Sequence, residues 1–251
     1  MIIREKYLSK IRPFYDQDLI KVIMGVRRCG KSVILLQIID EQKEKGIPDS
    51  QIIYMNFEYE DYAFIKNDMD LHNYIKEKIV NENKYYLFFD EIQNVEHWEK
   101  AINSFKASKN VSIFITGSNS DLLSGELATH IAGRYVSFNV YPFTFKEVCE
   151  FKNITEKKYI EETFDDYITW GGMPQRFMMT DEIQTRTYLS DVYNSILVKD
   201  IIARFNIKDL DLFNRIVEYI VTTPSQNFSA ESLSNYFANK GDREVSKITL
   251  Y

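Results

Sequence analysis

Short apolar runs and longer stretches with helical periodicity alternate through roughly the first 140 residues of the chain. Each apolar run is bounded by polar residues, which is typical of a strand buried on both faces of a parallel sheet. The predicted strands are 19–24, 51–57, 85–89, 111–116 and 135–140. The predicted helices are a short one near 7–14 and longer ones at 31–45, 71–81 and 97–109. This alternation predicts the α/β class, with βαβ units that build a parallel five-stranded sheet covered on both faces.

The pattern changes after Pro142, because apolar residues then recur at helical spacing with no strand between them. The predicted helices there are 143–151, 159–170 and 185–205. A last section starts near residue 208 with a helix stopped by Pro224, followed by a helix capped by Ser229 and a third that Ser246 would cap. We therefore predict three parts, with the bounds 1–141, 142–206 and 207–251.

The composition narrows the class of protein. With 45% hydrophobic and 14% aromatic residues the chain can form a packed core, which excludes intrinsic disorder. The formal net charge is −6, no apolar run reaches the ~20 residues of a membrane span, and the N-terminus lacks the apolar stretch of a signal peptide. Two cysteines and three dispersed histidines give no disulfide framework and no zinc or iron site. We expect a cytoplasmic protein without a membrane partner.

A glycine-containing motif follows the first predicted strand and opens the first long helix. It reads Gly25-Val26-Arg27-Arg28-Cys29-Gly30-Lys31-Ser32 and satisfies the phosphate-binding pattern G-x-x-x-x-G-K-[ST]. Such glycines let backbone N–H groups turn toward phosphate, and the helix N-terminus adds its dipole. Lys31 is predicted to reach the β- and γ-phosphates and the Ser32 hydroxyl to ligate Mg²⁺. The candidate nucleotide-binding residues are this motif and Val33, with the side chains of Arg27 and Arg28 either on phosphate or in solvent.

The third predicted strand ends in two adjacent carboxylates, Asp90 and Glu91. An apolar strand that ends in this way is the Walker B pattern. We expect Asp90 to hold the hydration shell of Mg²⁺ and Glu91 to polarise an attacking water. Beside a phosphate-binding loop the two acids therefore predict a catalytic site.

The spacing of the two motifs distinguishes among nucleotide-binding classes. One strand and one helix lie between them, which suits the additional-strand ATPases. A GTPase would show D-x-x-G at the second motif, where this sequence reads Asp90-Glu91-Ile92-Gln93 instead. A small-molecule kinase remains an alternative, although it would have no need of the water-directing Glu91.

Three further residues are candidates for catalysis. The fourth predicted strand ends at Thr116, and Ser118 follows two residues later. Either hydroxyl could sense the γ-phosphate; the alternative is a strand end with local turn caps. Arg134 precedes the fifth strand. It either stabilises transition-state charge, in cis or in a neighbouring subunit, or is a surface arginine paired with an acid.

Taken together, these motifs resemble those of predicted bacterial and archaeal ATPases of the AAA superfamily, close to the signal-transduction ATPases with numerous domains. The motifs that carry the resemblance are Gly25-Val26-Arg27-Arg28, Phe89-Asp90-Glu91-Ile92-Gln93, Thr116-Gly117-Ser118, Gly133-Arg134, Tyr141-Pro142-Phe143 and Gly171-Gly172-Met173-Pro174. The last motif looks like the G-x-P element of related ATPases, so the resemblance implies that Pro174 contacts adenine. It also implies an ATPase core at 1–141, a helical lid at 142–206 and a winged helix at 207–251 that appears truncated.

The resemblance implies Mg²⁺-dependent binding and hydrolysis of ATP, coupled to movement of the lid and winged-helix region. Two alternatives remain open: a slow switch gated by ATP or ADP, and an ATP-dependent DNA-binding protein. Acids outnumber basic residues from residue 208 onward, which gives DNA binding weak support. A protein partner or self-association through the lid and C-terminal region is also expected.

Overall fold

The computed structural model describes residues 2–117, 133–202, 205–223 and 229–239. Its centre is a parallel sheet of five strands in the order β2-β3-β4-β1-β5. The strands are β1 (Ile20–Met24), β2 (Ile52–Asn56), β3 (Tyr85–Asp90), β4 (Val111–Gly117) and β5 (Tyr135–Asn139). Every predicted strand is present within one or two residues of its predicted bounds, and the predicted α/β fold class is confirmed.

Helices cover both faces of the sheet. They are α1 (Glu5–Ile11), α2 (Lys31–Glu44), α3 (Asp68–Lys78) and α4 (Trp98–Ser108). Alternate residues of each strand point to opposite faces, so Val22 packs with residues of α3 and α4, whereas Ile23 packs with residues of α1 and α2. Burial on both sides explains why these strands are nearly continuous apolar runs in the sequence.

The predicted helix at 71–81 is displaced by three residues. The observed α3 begins at Asp68, because the side chain of Asn67 caps it by accepting hydrogen bonds from the backbone N–H groups of Met69 and Asp70. The sequence-based prediction placed the start of the helix at its first buried residue, Leu71. It therefore missed the first turn, which contains no buried residue before Leu71.

Beyond the sheet the described chain is helical. The elements are α5 (Phe145–Lys152), α6 (Lys157–Trp170), α7 (Glu182–Ser195), a π-helical segment (Ile196–Ile202), α8 (Leu210–Thr222) and α9 (Ala230–Asn239). The predicted single helix at 185–205 is therefore wrong, since the α-helical hydrogen bonding of α7 gives way to a π-helical segment at Ile196.

The chain divides into two compact units, 1–196 and 197–251. In the second unit α8 and α9 pack through Leu212, Leu233 and Phe237. Ser229 caps α9, as predicted, by accepting a 3.0 Å hydrogen bond from the backbone N–H of Ser232. Ser246 lies outside the described residues, and the winged helix and the three-part division remain predictions. None of the helices in the described part of the chain combines the length and apolar character that crossing a membrane requires.

One buried lysine interrupts the apolar pattern of β1. Lys21 is fully buried, and its ammonium group donates hydrogen bonds to Ser112 Oγ at 2.8 Å and to the carbonyl oxygen of Gln17 at 3.2 Å. Burial, reinforced by the nearby Lys84 and Lys106 and opposed by Asp16 and Asp18, lowers the pKa of Lys21 from 10.5 to about 7.

This shift predicts a pH dependence of stability. Between about pH 7 and pH 10.5 the unfolded chain binds a proton at Lys21 that the folded chain does not, so this residue makes the wild type more stable as the pH rises. The free energy of unfolding of Lys21→Met, measured relative to wild type, should therefore fall by up to about 1.4 kcal/mol per pH unit in this window. Urea titrations at a series of pH values measure the difference, and Lys10→Met on the exposed face of α1 controls for the loss of a lysine. A difference that stays constant from pH 7 to pH 9.5 contradicts the assignment.

Candidate functional site

The predicted phosphate-binding loop, residues 25–32, connects the carboxyl end of β1 to the N-terminus of α2. Both of its glycines are required by geometry. Gly30 has φ +101°, in the left-handed region that favours glycine. Gly25 packs so closely against β5 that a Cβ there would collide with the carbonyl oxygen of Val140. The loop is thus held against the chain that leaves β5.

Lys31 is the first residue of α2 and is 4% exposed. Its ammonium group donates hydrogen bonds to the carbonyl oxygens of Gly25 at 3.2 Å and Val26 at 3.4 Å, so it folds back across its own loop. It also forms a salt bridge with Glu91, with 3.2 Å between Lys31 Nζ and Glu91 Oε1. The phosphate-binding loop and the Walker B acids, separate in sequence, are therefore in direct contact.

Asp90, the last residue of β3, is completely buried. One carboxylate oxygen accepts a hydrogen bond from Thr116 Oγ1, and the other accepts hydrogen bonds from Tyr54 Oη and Asn56 Nδ2, both at 3.1 Å. Burial and the neighbouring Asp90 carboxylate raise the pKa of Tyr54, which keeps its hydroxyl a donor. These donors fix the orientation of the carboxylate at the sheet edge.

Glu91 begins the turn after β3 with φ +53°, a left-handed conformation uncommon for a residue with a side chain. Its backbone N–H donates to Thr116 Oγ1 at 2.9 Å, and Gln93 Nε2 donates to its carboxylate at 2.6 Å. With Lys31 on the other carboxylate oxygen, the side chain is 9% exposed and held on both sides. Thr116 therefore joins both acids: it donates to Asp90 and accepts from Glu91.

The remaining loop residues have different surroundings. Arg27 lies 3.8 Å from a Glu58 carboxylate oxygen, and Arg28, with φ +62°, lies over the ring of Tyr188 on α7 at 5.7 Å. Cys29 is buried, and burial raises the pKa of its thiol.

Ser32 and Val33 lie in the first turn of α2, both partly exposed. A magnesium site at Ser32 and Asp90 would have oxygen donors, the kind that Mg²⁺ prefers. No cluster of three or more His, Cys, Asp or Glu side chains suited to a metal ion occurs within the described ranges.

Arg134 lies at the amino ends of the strands, whereas the phosphate-binding loop lies at their carboxyl ends. Its carbonyl oxygen accepts a hydrogen bond from Ile20 N at the first residue of β1, and β5 runs parallel to β1. Since β1 advances roughly 13 Å between Ile20 and the loop that follows Met24, the backbone of Arg134 lies about that far from the phosphate-binding loop of its own chain. A catalytic role of Arg134, in cis or in a neighbouring subunit, stays a prediction. Ser118 lies outside the described residues.

Pro174 begins a 3₁₀ segment (Pro174–Met178) after α6. The preceding Gly172 packs against the chain that follows β5: its carbonyl oxygen accepts a 2.7 Å hydrogen bond from Phe143 N, and a Cβ at Gly172 would collide with the carbonyl oxygen of Phe143. The G-x-P element thus contacts the chain that leaves the sheet at the edge where the phosphate-binding loop lies.

Sequence reasoning missed Tyr54 and Asn56. Asn56 pairs in register with Asp90 across the two parallel strands. The available signal was a polar residue at the carboxyl end of an apolar strand, the same signal that identified Asp90. Arg4, which contacts Glu147 and the carbonyl oxygen of Cys29, was missed as well, and so was Glu147, since a charged residue that pairs with a distant segment carries no such signal.

Comparisons with known proteins identify a family for part of the chain. A family model described as an AAA domain matches residues 17–149, and a model for a domain of unknown function, DUF8612, matches residues 161–249. An uncharacterized protein of Haemophilus influenzae is 40% identical over 237 residues, which is 94% of this chain and 59% of that protein. An uncharacterized protein of Methanocaldococcus jannaschii is 34% identical over 240 residues, 92% of this chain and 53% of its own length. The chain therefore spans between about half and three-fifths of these relatives.

Among solved structures, AMPPCP-bound DnaA from Aquifex aeolicus is similar to this chain. The alignment covers 89% of this chain and 69% of the DnaA chain, at 16% identity and a TM-score of 0.44. The sequence match over residues 17–149 covers more than half of the chain. It shows that the chain belongs to the family of AAA domains.

Proposed function

We propose that the chain binds Mg·ATP at the carboxyl edge of the sheet and hydrolyses it. The observation that carries the proposal is the 3.2 Å contact between Lys31 Nζ and Glu91 Oε1, because it brings the two motifs that the chemistry needs into one site. The strand–loop–helix context of residues 25–32 and the burial of Asp90 support the same function.

Nucleotide binding would change the partners of Lys31. Its ammonium group holds two loop carbonyl oxygens and the Glu91 carboxylate. The β- and γ-phosphate oxygens carry more negative charge than these carbonyl groups, so they would compete for the ammonium group. The exchange would free Oε1 of the Glu91 carboxylate, whereas Gln93 would still donate a hydrogen bond to Oε2.

The released Glu91 is the proposed water-orienting group. Its backbone is fixed by Thr116, so its carboxylate moves by rotation of the side chain alone. Ser32 and Asp90 are the residues that would hold Mg²⁺, directly or through water. When bound, the ion neutralises phosphate charge. Tyr54, Asn56 and Thr116 would keep Asp90 in place for that purpose.

The base of the nucleotide is assigned to the G-x-P element. Pro174 lies in the segment that contacts Phe143, directly after the part of the chain that packs on the phosphate-binding loop. The resemblance to AAA ATPases suggests that this proline contacts adenine. Movement of the helical region with the state of the nucleotide, a protein partner and self-association remain part of the proposal.

A slow nucleotide-gated switch is the second candidate. It is favoured by the engagement of Glu91 on both sides, by Lys31 and by Gln93, because a held carboxylate is not free to orient water. Retention of ADP through purification and slow single turnover would distinguish this switch from an enzyme that turns over continuously.

Lys31→Ala tests the phosphate site. We expect the affinity for Mg·ATP to fall by at least about one to two orders of magnitude, the range for loss of a hydrogen bond to a charged group. Calorimetry gives the affinity and thermal unfolding reports whether the variant folds. Lys43→Ala, near the end of the same helix and paired with Asp49 at the surface, is the matched control and should bind normally. Unchanged affinity in a folded Lys31→Ala variant refutes the site.

Glu91→Gln tests the hydrolytic role. The amide keeps the shape but not the basicity, so single-turnover hydrolysis should slow by ~10²- to 10⁴-fold. Binding of ATP should be at least as tight as in wild type, because Lys31 no longer has a charged competitor for phosphate. Glu99→Gln, at another buried glutamate, is the control. An unchanged rate, or loss of binding in place of rate, argues against this role.

Pro174→Ala tests the base site. Wild type should bind adenine nucleotides more tightly than guanine nucleotides, and the variant should lose part of that preference. Pro48→Ala, in the connection between α2 and β2, should keep it. Competition between ATP and GTP for a fluorescent nucleotide measures the ratio, and equal affinities in wild type remove the support for an adenine site at this proline.

A further inference from the structure

We propose that Arg4 is a positioning residue of the phosphate-binding loop: its guanidinium group fixes the Cys29–Gly30 peptide so that the Gly30 N–H faces the bound phosphate. Arg4 precedes α1 and lies outside the AAA-domain match, which begins at residue 17. The inference rests on the proposed function, since it assigns the group that orients one of the loop's phosphate donors.

The guanidinium group of Arg4 is almost inaccessible, with 1% of the side chain exposed. It donates to the carbonyl oxygen of Cys29 at 2.9 Å, to that of Tyr141 at 3.0 Å, and to both carboxylate oxygens of Glu147 at 2.8 and 3.1 Å. All three nitrogens of the group therefore have acceptors. A single buried cation joins the N-terminal segment, the phosphate-binding loop, the chain after β5 and helix α5.

The bond to Cys29 has a direct consequence for Gly30. A trans peptide is planar, and its C=O and N–H point in opposite directions. Because the Cys29 carbonyl points toward Arg4, the N–H of Gly30 points away from Arg4, on the opposite side of the peptide. Gly30 is the N-cap residue of α2, so this N–H lies at the helix N-terminus, where backbone donors and the helix dipole favour an anion.

The same bond strengthens Gly30 as a donor. A cation on the carbonyl oxygen polarises the peptide, and hydrogen bonds in a chain reinforce one another in a buried environment. The positive charge also lies close to the loop, since a Cβ on Gly30 would be 3.5 Å from Arg4 Nη1. Arg4 thus acts on phosphate through the backbone and is not itself a catalytic residue.

The salt bridge between Arg4 and Glu147 fixes the start of the helical region. Glu147 closes a capping box at α5: Thr144 N and Thr144 Oγ1 both donate to its carboxylate, at 2.8 and 2.9 Å. The hydrogen bonds and charge of Arg4 hold the pKa of Glu147 below its usual value against the opposing effect of burial, so the pair remains ionised at neutral pH. The cation is therefore anchored on one side while it holds Cys29 on the other.

A lysine at position 4 cannot make the same set of hydrogen bonds. A planar guanidinium fork reaches two carbonyl groups and a bidentate carboxylate at once, whereas an ammonium group is a point charge with three donors. Arg4→Lys keeps the charge opposite Glu147 but loses part of the set of hydrogen bonds, which makes it the informative variant. Arg12→Lys is the matched control, because the Arg12 guanidinium group also pairs with carboxylates, those of Glu5 and Glu41, while its side chain is 35% exposed.

The test measures the affinity for Mg·ADP and for inorganic tripolyphosphate, together with thermal unfolding. We expect Arg4→Lys to weaken both ligands by about tenfold and Arg12→Lys to change neither by more than about twofold. Equal affinities in wild type and a folded Arg4→Lys variant overturn the inference, and so does a loss confined to ADP, which would place the effect at the base. If wild type binds neither ligand, the proposed function fails and the inference fails with it.

A measurement on the wild-type protein does not depend on how the variant folds. In a sample labelled with ¹⁵N-glycine, the chain gives nine glycine amide signals. Tripolyphosphate should move the Gly30 signal downfield and slow its hydrogen exchange, as a new hydrogen bond requires. A Gly30 signal unaffected by saturating tripolyphosphate, with other loop signals displaced, contradicts the proposed orientation of this peptide.

Discussion

The parallel register of the sheet is the constraint on which the site depends. Met24 pairs with Gly117, Phe89 with Ile115, and Asn56 with Asp90. Because the strands run in one direction, the residues that follow β1 and end β2, β3 and β4 all meet at one edge. The contacts among Lys31, Asp90, Glu91 and Thr116 follow from this register and from the short turns that leave each strand.

Much of this arrangement could be predicted from local patterns. Runs of apolar residues identified the strands because burial on both faces removes the polar alternation, and residues 25–32 and Asp90 were recognisable because phosphate chemistry requires fixed residue types at fixed spacing. The family match over residues 17–149 agrees with that interpretation. Local sequence was sufficient where one strand and the turn after it carry the chemistry.

Contacts between distant segments could not be predicted in this way. Arg4 meets Glu147 across 143 residues and Lys21 meets Ser112 across 91, and each looks like an ordinary surface charge in the sequence. Both buried side chains have hydrogen-bond acceptors inside the fold, which is what makes burial of such groups tolerable.

The central claim is that phosphate takes the place of the Glu91 carboxylate on Lys31. The most direct measurement is a crystal structure of the chain with Mg²⁺ and a non-hydrolysable ATP analogue. The account predicts phosphate oxygens against Lys31 Nζ and the backbone N–H of Gly30, with Lys31 Nζ and Glu91 Oε1 farther apart than the present 3.2 Å. A nucleotide bound elsewhere, or bound at the loop with this salt bridge intact, would contradict it.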